Sequence, residues 1–185
     1  MHMTTHPSIL LIDDSPGEQE LFRLALTQAG LGVTLYTEQA TDAALHWLEH
    51  RVPYSSNHSL SAAEGSVAAT HVERGPSATA HSASTVAIPP AAPPLPALIL
   101  LDLNLCAKNG CDLLKRLRSD TRFAALPVVI FTTSDDPDDL AVSYSCGANG
   151  YIVKPSSFNE LVRCITDLCA YWLIWNRPSM RDIAC

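Results

Sequence analysis

The sequence is short of positive charge, of aromatic residues and of long apolar runs, and each shortage excludes something. Twelve Lys and Arg stand against 19 Asp and Glu in 185 residues, a formal net charge of −7, and aromatics are 6%. No basic cluster appears that would track a phosphate backbone, so nucleic acid is not an expected partner. No stretch approaches the ~20 apolar residues of a membrane span, and "MHMTTHPS" lacks the charged-then-apolar order of a secretory leader. A cytoplasmic protein with no membrane association is expected. The six cysteines, Cys106, Cys111, Cys146, Cys164, Cys169 and Cys185, form no C-x-x-C pair and no metal-ligand spacing. They are expected to be free, small, buried thiols.

What is present is an ordinary globular balance, 47% hydrophobic and 17% charged, in a chain long enough to bury a core. "SILLI" is too short for a helix and reads as a buried strand; it ends in Asp13 and Asp14. "SPGEQELFRLALTQAG" follows as a helix, with Ser15 as cap, Pro16 at the first position, Glu18 three residues after the cap and Gly30 as the stop. "GVTLYT" predicts a second strand and "TDAALHWLEHR" a second helix with Ala40, Ala44 and Trp47 at helical spacing. "LILLD" and "GCDLLKRLRSD" repeat the pair, Leu113, Leu114 and Leu117 sharing one face. "LPVVIFTTS" is a fourth strand, "DPDDLAVSYSCGA" a helix capped by Asp136, "GYIVK" a fifth strand. "SFNELVRCITDLCAYWLIW" is a long last helix striped by Leu161, Ile165, Leu168 and Trp172. This alternation predicts an α/β fold: a doubly wound, five-stranded parallel sheet with helices on both faces.

One segment departs from the pattern. From about 54 to 96 the chain is Ser, Ala, His and Pro, ending in "IPPAAPPLP". Its composition buries too little to offset ordering entropy, so a mobile surface insertion is expected within a domain spanning 7–176. His58, His71 and His81 in it are read as solvated. After Trp175 only a short tail, 177–185, remains, and no output domain is expected.

In a doubly wound sheet, chemistry gathers at the carboxyl ends of the strands. Those ends carry Asp13 and Asp14, then Asp102, then Thr132 and Thr133, then Lys154 followed by Pro155. Three carboxylates in one cleft repel unless a cation intervenes, and a hard divalent ion such as Mg²⁺ suits oxygen ligands. Asp102, on the middle strand, is best placed to attack phosphorus and form an acyl phosphate. Lys154 and Thr132 would stabilise the charge on the equatorial oxygens.

With "LLIDDS", "LILLDLNL…NG", "VVIFTTS" and "YIVKP" in order, the chain resembles the receiver domain of bacterial two-component response regulators. The resemblance implies the flavodoxin-like receiver fold, with Asp102 as phospho-acceptor and Asp13 and Asp14 as metal carboxylates. It implies that Asn104 gives the metal its backbone carbonyl, that Thr132 and Lys154 are the switch hydroxyl and phosphate-contacting lysine, and that Tyr151 is the switch aromatic. It also implies a cis Lys154–Pro155 bond. "LNL", "VVIFTTSDDPDDLAVSY", "GANGYIVKP", "YWL" and Pro53-Tyr54 are similar, more narrowly, to single-domain regulators serving phytochrome-type sensor kinases. Cys106 and Asn109 depart from the family, which has Pro and Asp there; the departure loosens the loop beside the metal.

The resulting expectation is a non-enzymatic, phosphorylation-operated switch. A sensor histidine kinase, on the narrower resemblance a bacteriophytochrome, would phosphorylate Asp102 in a Mg²⁺-dependent reaction. The signal would pass by protein contact or phosphorelay. A homodimer through the fourth helix, fifth strand and fifth helix is expected, with Tyr144, Tyr151, Tyr171, Trp172 and Trp175 forming an apolar patch. Two alternatives stand beside it. One is an aspartate-nucleophile phosphatase of the haloacid-dehalogenase kind, disfavoured because Asn104 occupies the general-acid position. The other is a receiver-like binding module with idle chemistry.

Overall fold

Short runs rich in branched apolar residues supply the three central strands, and the more mixed segments TLYTE and GYIV supply the two edge strands. In the computed structural model, which describes residues 6–52, 94–105 and 110–177, they are β1 (Ser8–Ile12), β2 (Thr34–Glu38), β3 (Leu98–Leu101), β4 (Val128–Thr132) and β5 (Gly150–Val153). Between and after them lie α1 (Pro16–Gln28), α2 (Thr41–Glu49), α3 (Gly110–Ser119), α4 (Pro137–Ser145) and α5 (Phe158–Cys169). All pairings are parallel, in the order β2-β1-β3-β4-β5. The expected doubly wound sheet is therefore present, with β3 at its centre.

The period-2 geometry of a strand sends alternate side chains to opposite faces. Ile9, Leu11, Leu98, Leu100, Val129 and Phe131 pack under α1 and α5, against Phe22, Ala25, Leu161, Ile165 and Leu168. Leu10, Ile12, Ile99, Leu101, Val128 and Ile130 pack under α2 and α3, against Ala44, Leu48, Leu113, Leu114 and Leu117. Both faces being covered explains why β1, β3 and β4 are buried at every residue.

The helix ends follow their local chemistry. Ser15 Oγ accepts from the Glu18 N–H at 3.3 Å, and Asp136 Oδ1 from the Asp138 N–H at 2.8 Å. Gly30 ends the first helical segment at φ +66°, a conformation glycine adopts without a Cβ penalty. Several expectations need correction. Ala40 is the exposed residue preceding α2, so Thr41 and Leu48 complete the buried stripe with Ala44. The last helix is α-helical only to Cys169; Ala170–Trp175 widens into a π-helix. Leu95 packs on the core and Pro96 is buried, so the chain rejoins the body before position 96. The rest of the expected insertion, 54–93, lies outside the described residues, as do Pro53, Cys106, Asn109 and the 178–185 tail.

Cys111, Cys146, Cys164 and Cys169 form no disulfide; Cys111, Cys146 and Cys169 are buried as expected and Cys164 is half-buried, while Cys106 and Cys185 lie outside the described residues. Burial pushes the Cys111 and Cys169 thiols up to about 11, with a Cys146 contact adding to the effect at Cys111. No helix among the described residues is long and apolar enough to cross a membrane.

Candidate functional site

Strand register sets the site. Ile12 pairs with Leu101, so the next residue of each strand, Asp13 and Asp102, leaves the sheet side by side. The ladder extends past the strand ends: the Asp102 N–H donates to the Ile12 carbonyl at 2.9 Å and the Asp13 N–H to the Glu38 carbonyl at 3.0 Å. On the other side Thr132 pairs with Val153, and the Lys154 N–H donates to the Thr132 carbonyl at 2.7 Å. Four strands thus deliver Asp13, Asp102, Thr132 and Lys154 to one edge of the sheet.

Their side chains meet there. The Lys154 ammonium reaches Asp13 Oδ2 at 2.6 Å and Asp102 Oδ2 at 2.9 Å, and the three side chains are 5%, 1% and 9% exposed. Glu18 stands at the rim, 3.9 Å from the same Nζ. Burial alone pulls the lysine pKa down, but hydrogen bonds and charge from Asp13 and Asp102 outweigh it and hold the ammonium above its ordinary range. The Phe131 ring lies beneath, its centroid 5.7 Å from Nζ. One positive charge faces two buried carboxylates and a third at the edge, so the pocket is net negative.

Asp102 is further held by the Asn104 N–H, which donates to Oδ1 at 3.1 Å. Thr132 is fully buried, and its hydroxyl accepts from the Ser134 N–H at 3.3 Å and, at 3.5 Å, from the Asn104 side-chain amide. Ser134 links this hydroxyl to the α4 side: its Oγ donates to Asp139 Oδ2 at 2.6 Å, and its carbonyl accepts from the Tyr151 hydroxyl at 3.0 Å. Tyr151 is half-buried against the α2–α3 face of the core, whereas Trp172 packs on the opposite face. The five aromatics therefore do not form one patch; Tyr144, Tyr171 and Trp175 stay exposed.

Of the predicted residues, Asp13, Asp102 and Lys154 are brought into direct contact, Asn104 bonds Asp102 through its N–H, and Thr132 is linked to Asp102 through Asn104. Asp14 follows Asp13 at the rim, half-exposed. Among the described residues no three His, Cys, Asp or Glu side chains are grouped as a metal site; the Lys154 ammonium takes the place between two of the carboxylates. Every peptide bond of the described residues is trans, Lys154–Pro155 included, against expectation. An X–Pro bond still favours trans by about 0.5–1 kcal/mol.

Sequence reasoning missed three contributors. Glu18 was read only as a helix-cap partner. Gln19 is buried beneath the cleft, its Nε2 donating to the carbonyls of Asp13 at 2.7 Å and Glu38 at 3.1 Å, which ties α1 to both strand ends. Gly110 opens α3 against the acceptor strand; a Cβ there would sit 2.5 Å from the Asp102 carbonyl oxygen. Gly110→Ala is therefore expected to displace the backbone carrying Asp102 and to destabilise the fold by about 1–3 kcal/mol. Urea denaturation measures this, and a variant as stable as wild type would show that the loop absorbs the methyl group.

The model of the response regulator receiver domain matches residues 70–166, just over half of the chain. The chain belongs to that family. The matched span holds Asp102, Thr132 and Lys154 but not β1, so Asp13 joins the site through strand register. This receiver domain is 43% identical over 83 residues to the probable methanogenesis regulatory protein FilR2 of Methanothrix harundinacea, covering 45% of this chain and 54% of that one. It is 36% identical over 80 residues to the response regulator Rcp1 of Synechocystis sp., covering 43% and 54%. It spans about half the length of these curated relatives. An Mn²⁺-bound structure of Rcp1 superposes with a TM-score of 0.63 at 24% identity, covering 93% of this chain and 98% of that one, a likeness of fold. The bacteriophytochrome response regulator RtBRR superposes with a TM-score of 0.57 at 28% identity, covering 95% and 86%. The chain is thus related to phytochrome response regulators. Receiver domains are generally signalling proteins rather than classical enzymes, and they partner with histidine kinases.

Proposed function

We propose that this protein is a phosphorylation-operated switch in which Asp102 accepts a phosphoryl group from a sensor histidine kinase. The observation that carries this reading is the buried meeting of Asp13, Asp102 and Lys154 at the carboxyl edge of the sheet. In the transfer an Asp102 carboxylate oxygen forms a bond to phosphorus. The nitrogen–phosphorus bond of the donor phosphohistidine breaks, and its electron pair returns to the imidazole. Lys154 neutralises part of the incoming charge, and the buried Thr132 hydroxyl at the same edge of the sheet would donate to a phosphoryl oxygen.

The donor set fits a hard divalent cation of the Mg²⁺ type: all oxygen, with two buried carboxylates meeting at one positive charge. Asp13, Asp14, Asp102 and the Asn104 carbonyl would hold it. It would supply the positive charge that this net-negative pocket lacks when a phosphoryl dianion approaches. Drawing the Thr132 hydroxyl toward the phosphoryl group would disturb its bond from the Ser134 N–H. Ser134 also holds the Tyr151 hydroxyl and Asp139, so the change reaches α4 and β5.

The likeness to RtBRR supports a phytochrome-type kinase as donor, and a cytoplasmic site of action follows from such a donor. Output runs through protein contact, phosphorelay or dimerisation. Leu140, Val142 and Tyr144 on α4, Val153 on β5, and Tyr171, Ile174 and Trp175 beyond α5 are exposed apolar residues suited to a homodimer. Sedimentation is expected to detect that dimer at tens of micromolar protein; a monomer with and without phosphorylation removes the dimer and leaves the switch.

Incubation with a small acyl phosphate and Mg²⁺, followed by intact-mass measurement, tests the central reading. Gain of a single phosphoryl group that hydroxylamine removes is expected. A chain that gains none has idle receiver chemistry.

A further inference from the structure

The last turn of α2 and the residue that caps it carry two histidines that the phosphoryl site does not use, His46 and His50. His46 and His50 are four residues apart, the spacing that stacks side chains on one helix face, and both are exposed. The His50 N–H donates to the His46 carbonyl at 3.1 Å, so helical backbone continues under both rings. The rings meet edge to face, their centroids 4.1 Å apart and their planes at 89°. Their Nε2 atoms are 2.8 Å apart. Whichever tautomer holds the proton, one Nε2–H donates to the other Nε2, and the two nitrogens lie side by side on exposed rings.

That separation selects a coordination geometry. With metal–nitrogen bonds of about 2.0–2.1 Å, ligands at a right angle lie about 2.9 Å apart, and tetrahedral ligands about 3.3 Å apart. The observed 2.8 Å matches the right angle, which tetragonal and octahedral ions offer. Imidazole is a good donor for such borderline ions, and affinity rises toward Ni²⁺ and Cu²⁺.

We propose that His46 and His50 form a two-imidazole chelate for Cu²⁺ or Ni²⁺, with water completing the coordination. The ring that donates in the free protein moves its proton from Nε2 to Nδ1, so both Nε2 lone pairs face the ion and no net proton is lost. The geometry is preorganised from below: Ala44 and Leu48, on the opposite face of α2, are fully buried and anchor the helix. The neighbouring Arg51 is held by Trp47. The Arg51 guanidinium lies 3.2 Å from the centre of the Trp47 ring and donates to the Trp47 carbonyl at 3.1 Å. Because α2 starts at the carboxyl edge of the sheet and runs back along it, this chelate lies toward the amino edge, away from Asp102.

Titration of the full chain with Ni²⁺ by calorimetry, in excess Mg²⁺ to occupy the acidic cleft, tests the proposal. His46→Ala and His50→Ala are each expected to weaken one binding event at least tenfold, and the double variant to remove it. Pulsed electron paramagnetic resonance on the Cu²⁺ form adds a direct readout: coupling to two imidazoles in wild type and to one in each single variant. Both rings are exposed, so the variants are expected to keep the wild-type circular dichroism; His46→Gln and His50→Gln serve equally if they do not. Variants that titrate like wild type, or Cu²⁺ coupling that neither substitution alters, overturn the site.

Discussion

Asp102→Asn is expected to abolish phosphoryl uptake while changing the unfolding free energy by no more than about 1 kcal/mol. An amide oxygen is too poor a nucleophile to replace the carboxylate, so labelling by an acyl phosphate or a kinase falls to background. The small stability effect follows from the charge count. In the wild type a single ammonium serves the buried carboxylates of Asp13 and Asp102. Removing one carboxylate relieves their repulsion and leaves a matched Asp13–Lys154 pair. Against this stands one charge-assisted bond, because the new amide presents only one oxygen to Lys154 and the Asn104 N–H. Intact-mass labelling and urea denaturation on the same sample measure both halves. Wild-type labelling of the variant would falsify the assignment of the acceptor.

Lys154→Met removes the ammonium that the buried carboxylates of Asp13 and Asp102 share and is expected to cost about 3–5 kcal/mol, the usual penalty for leaving buried charge without its counter-ion. No discount for solvent screening applies, since the three side chains are between 1% and 9% exposed. The pH dependence has a definite sign. The folded lysine pKa is raised above its ordinary value of 10.5. The stabilisation it brings is therefore complete below 10.5 and disappears as pH climbs through the higher folded value. The wild type and Lys154→Met are expected to differ by a constant amount through neutral pH and to converge only in strong alkali. Added Mg²⁺ should recover part of the loss by neutralising the same carboxylates. Equal stability of the two proteins at neutral pH would mean that the buried pair carries no net interaction.

Much of the cleft was legible in the chain because strand ends are local features. "LLIDD", "LILLD", "VVIFTT" and "YIVK" each place a polar residue after an apolar run, and parallel topology brings those ends to one edge. Gln19, Glu18 and Gly110 escaped notice because their roles depend on neighbours distant in sequence: Gln19 bonds the ends of two strands, and Gly110 abuts the carbonyl of Asp102. The histidine pair of α2 was present as a four-residue spacing. Spacing alone does not give the distance between two ring nitrogens.

The sequence by itself determined the alternation of elements, the parallel sheet and the identity of the residues at its carboxyl edge, because hydrophobic periodicity and capping act over a few residues. Only the tertiary structure decided how charge is balanced there. Which ammonium meets which carboxylate, and whether two or three acids share a cation, depends on strand register and on side-chain reach across 141 residues of chain between Asp13 and Lys154.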